Sequence, residues 1–147
     1  MKHNTADEFF YEAVKFNKRH PVTSMLNKQQ NFGKKSESIA AKLLKKHGYK
    51  ILEQNYRTKL GEIDIIAKDK DTLVFVEVKS RSSNLFGNPK WAVTPKKQRK
   101  ISMVALLYIK STKQSNVKAR FDVVAISSAK DKPSIEIIKN AFELAYK

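Results

Sequence analysis

A chain of 147 residues with 30 Lys/Arg against 14 Asp/Glu carries a formal charge of +16. The absence of cysteine excludes disulfides, Cys-liganded zinc, iron–sulfur clusters and thiol nucleophiles, and a chain of this size folds as one domain without such staples. No apolar run approaches ~18 residues, and Met1-Lys2-His3-Asn4 opens no signal-peptide core. The expectation is therefore a soluble, cytoplasmic protein with no membrane partner.

Residues 5–18 read as a helix, with Thr5 and Glu8 at capping-box spacing and Phe9, Phe10, Ala13 and Val14 as its stripe. Residues 19–32 are polar and aperiodic, which predicts a linker. A first unit over 1–30 and a main domain over 31–147 follow. A second helix is predicted over 36–47, with Ile39, Ala40, Leu43 and Leu44 inward and Gly48 as its stop. Strands are predicted over 50–57, 62–68 and 72–79, the last two forming a hairpin around Asp69-Lys70-Asp71. A loop covers 82–93. Thr94-Pro95 opens a helix to about Lys110, and strands follow over 120–127 and 134–138. The strand–helix–strand step from 72–79 to 120–127 requires a crossover and parallel pairing, so the class is α/β with a mixed sheet.

Charge is unevenly placed along these elements. Residues 61–80 are net −2, between a 31–60 segment at +6 and an 81–120 segment at +10 that contains no acid. Carboxylates flanked by Lys/Arg suit a divalent cation held beside a polyanion, nucleic acid before an anionic membrane. Spread solubilising charge, the plainer reading, would not leave an acidic island.

Binary patterning selects one hairpin register. Pairing Asp64 with Glu77 places Ile63/Val78, Ile65/Val76 and Ala67/Val74 on one apolar face, and Ile66/Phe75 and Glu62/Lys79 on the other. Two carboxylates so opposed repel unless something positive lies between them; an oxygen-liganded cation fits there. Lys79 shares the face of Glu77. A solvent-facing hairpin with a Glu62–Lys79 ion pair is the competing reading. Glu37 reads either as a first-turn acid favoured by the helix dipole or as a third carboxylate of the site. Lys97 and Gln98 point back toward the sheet, or belong to a solvated first turn; Lys96, Arg99 and Lys100 point elsewhere.

Glu37, Asp64 and Glu77-Val78-Lys79, on this order of elements, resemble the PD-(D/E)xK restriction-endonuclease-like nuclease superfamily. More narrowly, residues 61–67 (GEIDIIA), 74–81 (VFVEVKSR), 92–98 (AVTPKKQ) and 120–122 (RFD) resemble the YraN-like family of bacterial proteins, whose core is similar to archaeal Holliday-junction resolvases. The resemblance spans roughly residues 33–142. It implies a restriction-endonuclease-like fold, a central mixed sheet flanked by helices with an α-β-β-β-α-β core, to which the helix read over 5–18 is an extra N-terminal element outside the match. It implies Mg²⁺ or Mn²⁺ on Asp64, Glu77 and the Val78 carbonyl, with Glu37, Lys79 and Gln98 as further catalytic residues. Ile63 stands where the superfamily's name places proline.

The expected activity is metal-dependent phosphodiester hydrolysis on nucleic acid, DNA before RNA, with structure-specific, resolvase-like cutting within its scope. The alternative is a nucleic-acid-binding module on a nuclease fold. Lys34, Lys35, Arg57, Arg81, Lys96, Lys97, Arg99 and Lys100 are the expected phosphate contacts, and no base-reading motif is visible. Symmetric cutting of two strands would require a homodimer.

Overall fold

The computed structural model describes residues 25–81, 93–128 and 134–145, with side chains from residue 33 onward. The predicted helix over 5–18, residues 19–24 of the predicted linker and the 82–92 part of the predicted loop lie outside the described residues.

Seven elements follow in order: α1 (Met25–Lys46), β1 (Lys50–Thr58), β2 (Gly61–Asp69), β3 (Thr72–Arg81), α2 (Pro95–Ser111), β4 (Lys118–Ser127) and β5 (Ser134–Phe142). The sheet has the order β1-β2-β3-β4-β5, with β3 and β4 parallel and the other pairs antiparallel. The single parallel pair is the one the strand–helix–strand step demanded, because α2 carries the chain back to the starting edge of β3.

α1 begins at Met25 rather than at Ser36, so residues 25–32, read as linker, are helical. Once the packed half from Ser36 onward is formed, each added residue gains a hydrogen bond at little cost, and no Pro interrupts the stretch. The helix ends as expected: Gly48 takes φ 88°, and Tyr49 N–H returns to the Leu44 carbonyl at 3.0 Å. β5 also runs longer than the predicted 134–138.

The sheet is covered on both faces. Ile39, Ala40, Leu43 and Leu44 of α1 pack on Ile65, Ala67, Val74, Val76, Val124 and Ile126. Ile101, Val104, Ala105 and Tyr108 of α2 pack on Ile66, Leu73, Phe75, Val123 and Ala125. Central strands buried on both faces read as nearly continuous apolar runs, which is why 72–78 and 123–126 are so rich in Val and Ile.

Candidate functional site

β2 and β3 pair from Asp69↔Thr72 to Ile65↔Val76, in the register the binary pattern selected. Asp64 and Glu77 come next, where the ladder stops. Past that point the expected pairing fails. Ile63 lies in the α2-side core, not with Ile65 on the α1 side, and Val78 packs against the α1-side core. Glu62 pairs with Arg57 of β1 (Oε2 to Nε 3.3 Å), not with Lys79. The alternation breaks at Asp64 because its side chain turns toward β3 in the plane of the sheet. There its Oδ2 accepts the Val78 N–H at 2.8 Å. The two strands thus fork, and an acid sits in the crotch.

In a strand the N–H and C=O of one residue point to the same side. Val78 therefore directs its carbonyl toward the fork as well, beside Asp64. Glu77, 6% exposed, is the next residue of β3 after the ladder stops, and its carboxyl and that of Asp64 act on one another electrostatically. Burial, and next the Asp64 charge, push Glu77 up to about 7, against the pull of Lys97 and Lys79. Burial likewise raises Asp64, although the Val78 N–H, Lys97 and the Glu77 side chain act the other way. The pair thereby holds a proton to higher pH than an isolated carboxyl does.

Two ammonium groups reach Glu77 Oε1: Lys79 Nζ at 3.8 Å and Lys97 Nζ at 3.7 Å. Lys97 is placed by the start of α2, where the Thr94 side chain accepts the Lys97 N–H (3.2 Å) and Pro95 opens the helix. Gln98 turns the same way, but its Nε2 donates to the Val93 carbonyl at 3.0 Å, so that donor serves the loop before the helix. Lys96, Arg99 and Lys100 are exposed, as their helical phase predicted.

Glu37 approaches from the α1 layer. Burial raises its pKa, the Asp64 charge adds to the rise, and a hydrogen bond with the Asn55 side chain opposes it. Asn55 has φ 52°, a left-handed conformation that Asn tolerates better than most residues. Sequence reasoning missed Asn55; an Asn interrupting the strand between Gln54 and Tyr56 was the available signal. Of the remaining basic residues, Arg57 is exposed and paired with Glu62, Lys34 is exposed, and Lys35 and Arg81 are half-buried. None of these four makes a described contact with Glu77.

Among the described residues no three His, Asp or Glu side chains converge closely enough to hold a metal as they stand. The available donors are the Asp64–Glu77 pair and the neighbouring main chain. All are hard oxygens, the chemistry that Mg²⁺ and Mn²⁺ take.

A second polar cluster lies on the α1 face, toward the β2–β3 turn. Asp122, fully buried, accepts from Arg120 Nε (2.9 Å), Tyr49 Oη (3.0 Å) and the Asn140 N–H (3.0 Å). Arg120 also reaches across β3 to Asp69 Oδ2 at 2.7 Å, which Lys139 joins at 3.3 Å. Every hydrogen-bonding side-chain atom buried among the described residues is satisfied.

The family model described as "Uncharacterised protein family UPF0102" matches residues 36–126. A UPF0102 protein of Desulfosudis oleivorans is 51% identical over 119 residues, covering 81% of this chain and 95% of that protein. One of Syntrophus aciditrophicus is 55% identical over 114 residues, covering 78% and 90%. One of Clostridium botulinum is 46% identical over 118 residues, covering 78% and 96%.

Proposed function

The chain belongs to the UPF0102 family, and from that and the geometry of the fork we propose that it is a metal-dependent nuclease acting on nucleic acid, DNA before RNA. The observation that carries the reading is the Asp64–Glu77 pair. A buried Glu77 and a half-buried Asp64 face each other at the end of a ladder, in a chain with 30 basic and only 14 acidic residues. A pair of like charges in such a place costs stability, and a divalent cation is what would make it useful.

Asp64, Glu77 and the Val78 carbonyl would hold Mg²⁺ or Mn²⁺, which when bound supplies Lewis-acid polarisation of a phosphodiester oxygen and an acidified water. Lys79 is close enough to Glu77 to orient the attacking water, or to stabilise charge growing on the phosphoryl oxygens. Glu37 of α1, whose pKa the Asp64 charge helps to raise, adds a third acid. Lys96, Arg99 and Lys100, exposed on the first turns of α2, hold the phosphate backbone. With no base-reading element, recognition follows backbone shape, which favours branched or otherwise structure-defined substrates.

The test is a panel of linear, nicked, flapped and four-way-junction substrates incubated with Mg²⁺ or Mn²⁺. Metal-dependent cleavage by the wild type, lost in Glu77→Ala, is the expected result. The second reading, a binding module on a nuclease fold, draws on the shortage of a third carboxylate beside the pair. Binding of the panel without cleavage would favour it. Sedimentation of the protein with a four-way junction tests the homodimer that resolvase-like cutting requires.

A further inference from the structure

Four basic residues crowd the first turns of α2: Lys96, Lys97, Arg99 and Lys100. Three are exposed and make no ion pair among the described residues. Lys97 differs. Its side chain is 37% exposed, and its ammonium lies 3.7 Å from Oε1 of a Glu77 side chain that is 7% exposed. An ammonium needed only for phosphates would stand with its three neighbours in solvent. This one spends its charge on a buried carboxylate that Lys79 already approaches from β3 at 3.8 Å, on the same oxygen.

Its placement is fixed from both ends. The Thr94 cap holds the Lys97 main chain, and Glu77 holds the tip. The Lys97 ammonium is thus the one positive group that α2 is shown to bring to this carboxylate among the described residues. We propose that Lys97 is a built-in counter-cation of Glu77 that competes with a divalent cation for this carboxylate and so sets the metal affinity of the site.

This rests on the nuclease reading, because it assumes that Asp64 and Glu77 take a metal. It goes beyond that reading by making Lys97 an antagonist of metal binding rather than a phosphate contact. Coulomb repulsion between an ammonium and a divalent cation held within a few ångströms is large enough, even heavily screened, for its removal to strengthen binding about tenfold.

The experiment is Mn²⁺ titration by calorimetry at low ionic strength, without nucleic acid, on full-length wild type and on Lys97→Met, Lys97→Gln, Lys97→Arg, Lys100→Met and Asp64→Asn. A thermal melt of each shows that it is folded, and Lys97→Gln stands in should the methionine variant fail to fold. Expected are Mn²⁺ binding to the wild type and its loss in Asp64→Asn. Binding should be about tenfold tighter in Lys97→Met and Lys97→Gln, and near wild type in Lys97→Arg and Lys100→Met. Affinity that is unchanged or weaker in both neutral Lys97 variants overturns the inference and leaves the nuclease reading standing. Equal tightening in Lys100→Met also overturns it, since general surface charge would then be the cause. No Mn²⁺ binding by any protein overturns the nuclease reading, and this inference with it.

Discussion

Asp64 and Val78 are joined across the fork by a 2.8 Å hydrogen bond, side chain to main chain, just where β2 and β3 cease to pair. A carboxylate thus does the work of a missing ladder partner while facing a second acid.

Those two duties separate by substitution. Asp64→Asn keeps an acceptor for the Val78 N–H and removes one of two like charges, so the metal-free protein should be as stable as the wild type or slightly more so. Asp64→Ala strands the N–H and should cost about 1–2 kcal/mol. Mn²⁺ should raise the melting temperature of the wild type by mass action and leave both variants unmoved. Equal responses in all three proteins would remove the metal site.

Glu77 gives the pH dependence a sign. Its folded pKa is raised from 4.5 to about 7, so between those values the folded protein keeps a proton that the unfolded chain has released. The unfolded state then binds fewer protons, and stability falls as pH rises through this window and levels off above it. The loss should be on the order of 3 kcal/mol in the metal-free protein. Denaturant melts from pH 4 to 8 should show a clearly shallower slope in Glu77→Gln than in the wild type, the remainder coming from Asp64 and Glu37, which burial also raises. Because metal must displace the retained proton, Mn²⁺ affinity should climb as pH rises toward the upper end of the window.

The Arg120–Asp122 network should dominate stability away from the fork. Asp122→Ala leaves Arg120 short of its main partner, with Tyr49 Oη and the Asn140 N–H also deprived. Breaking one side of a buried pair costs about 3–5 kcal/mol. Lys139→Ala removes a largely exposed contact to Asp69 and a cation–π contact over the Tyr49 ring, and should cost no more than about 1 kcal/mol. Comparable losses in the two variants would contradict this hierarchy.

Nucleic-acid binding should be electrostatic and largely indifferent to sequence. If about 6–8 phosphates are contacted, log K should fall against log salt with a slope of roughly −5 to −7 on duplex DNA. Neutralising Lys96, Arg99 or Lys100 should each reduce that slope by about 1 and weaken all duplexes alike. A strong preference for one sequence over its shuffled control would count against backbone recognition.

Much of this molecule could be read from periodicity. The Val/Ile runs marked the central strands, Thr94-Pro95 marked the start of α2, and one register alone kept the hairpin apolar on one side. That register brought Asp64 to Glu77. Other features depend on tertiary context. Ile63 should share a face with Ile65 by alternation, and it does not, because the Asp64 side chain turns into the sheet plane to reach Val78. Residues 25–32 lack apolar periodicity, and their helicity follows from the packed half of α1. The left-handed φ of Asn55 was signalled only by an Asn within the strand pattern, and its closeness to Glu37 depends on how α1 lies against β1. Arg120 and Asp122, two apart on one strand, share a face as regular alternation gives; what spacing could not supply was Tyr49 and Asp69 arriving there from other elements.

β3 is laddered on both sides from Thr72 to Val76, then only to β4 from Glu77 to Arg81. Arg120, spanning from β4 to Asp69 of β2, clasps the doubly bonded half over its α1 face. The strand is therefore anchored like a cantilever, fixed at its start and supported along one edge at its working end. Local opening is cheapest where fewest bonds must break, so amide protons near Lys79 and Ser80 should exchange well before those near Val74. The half of β3 that carries Glu77 and Lys79 can therefore yield without disturbing the half that holds the sheet together.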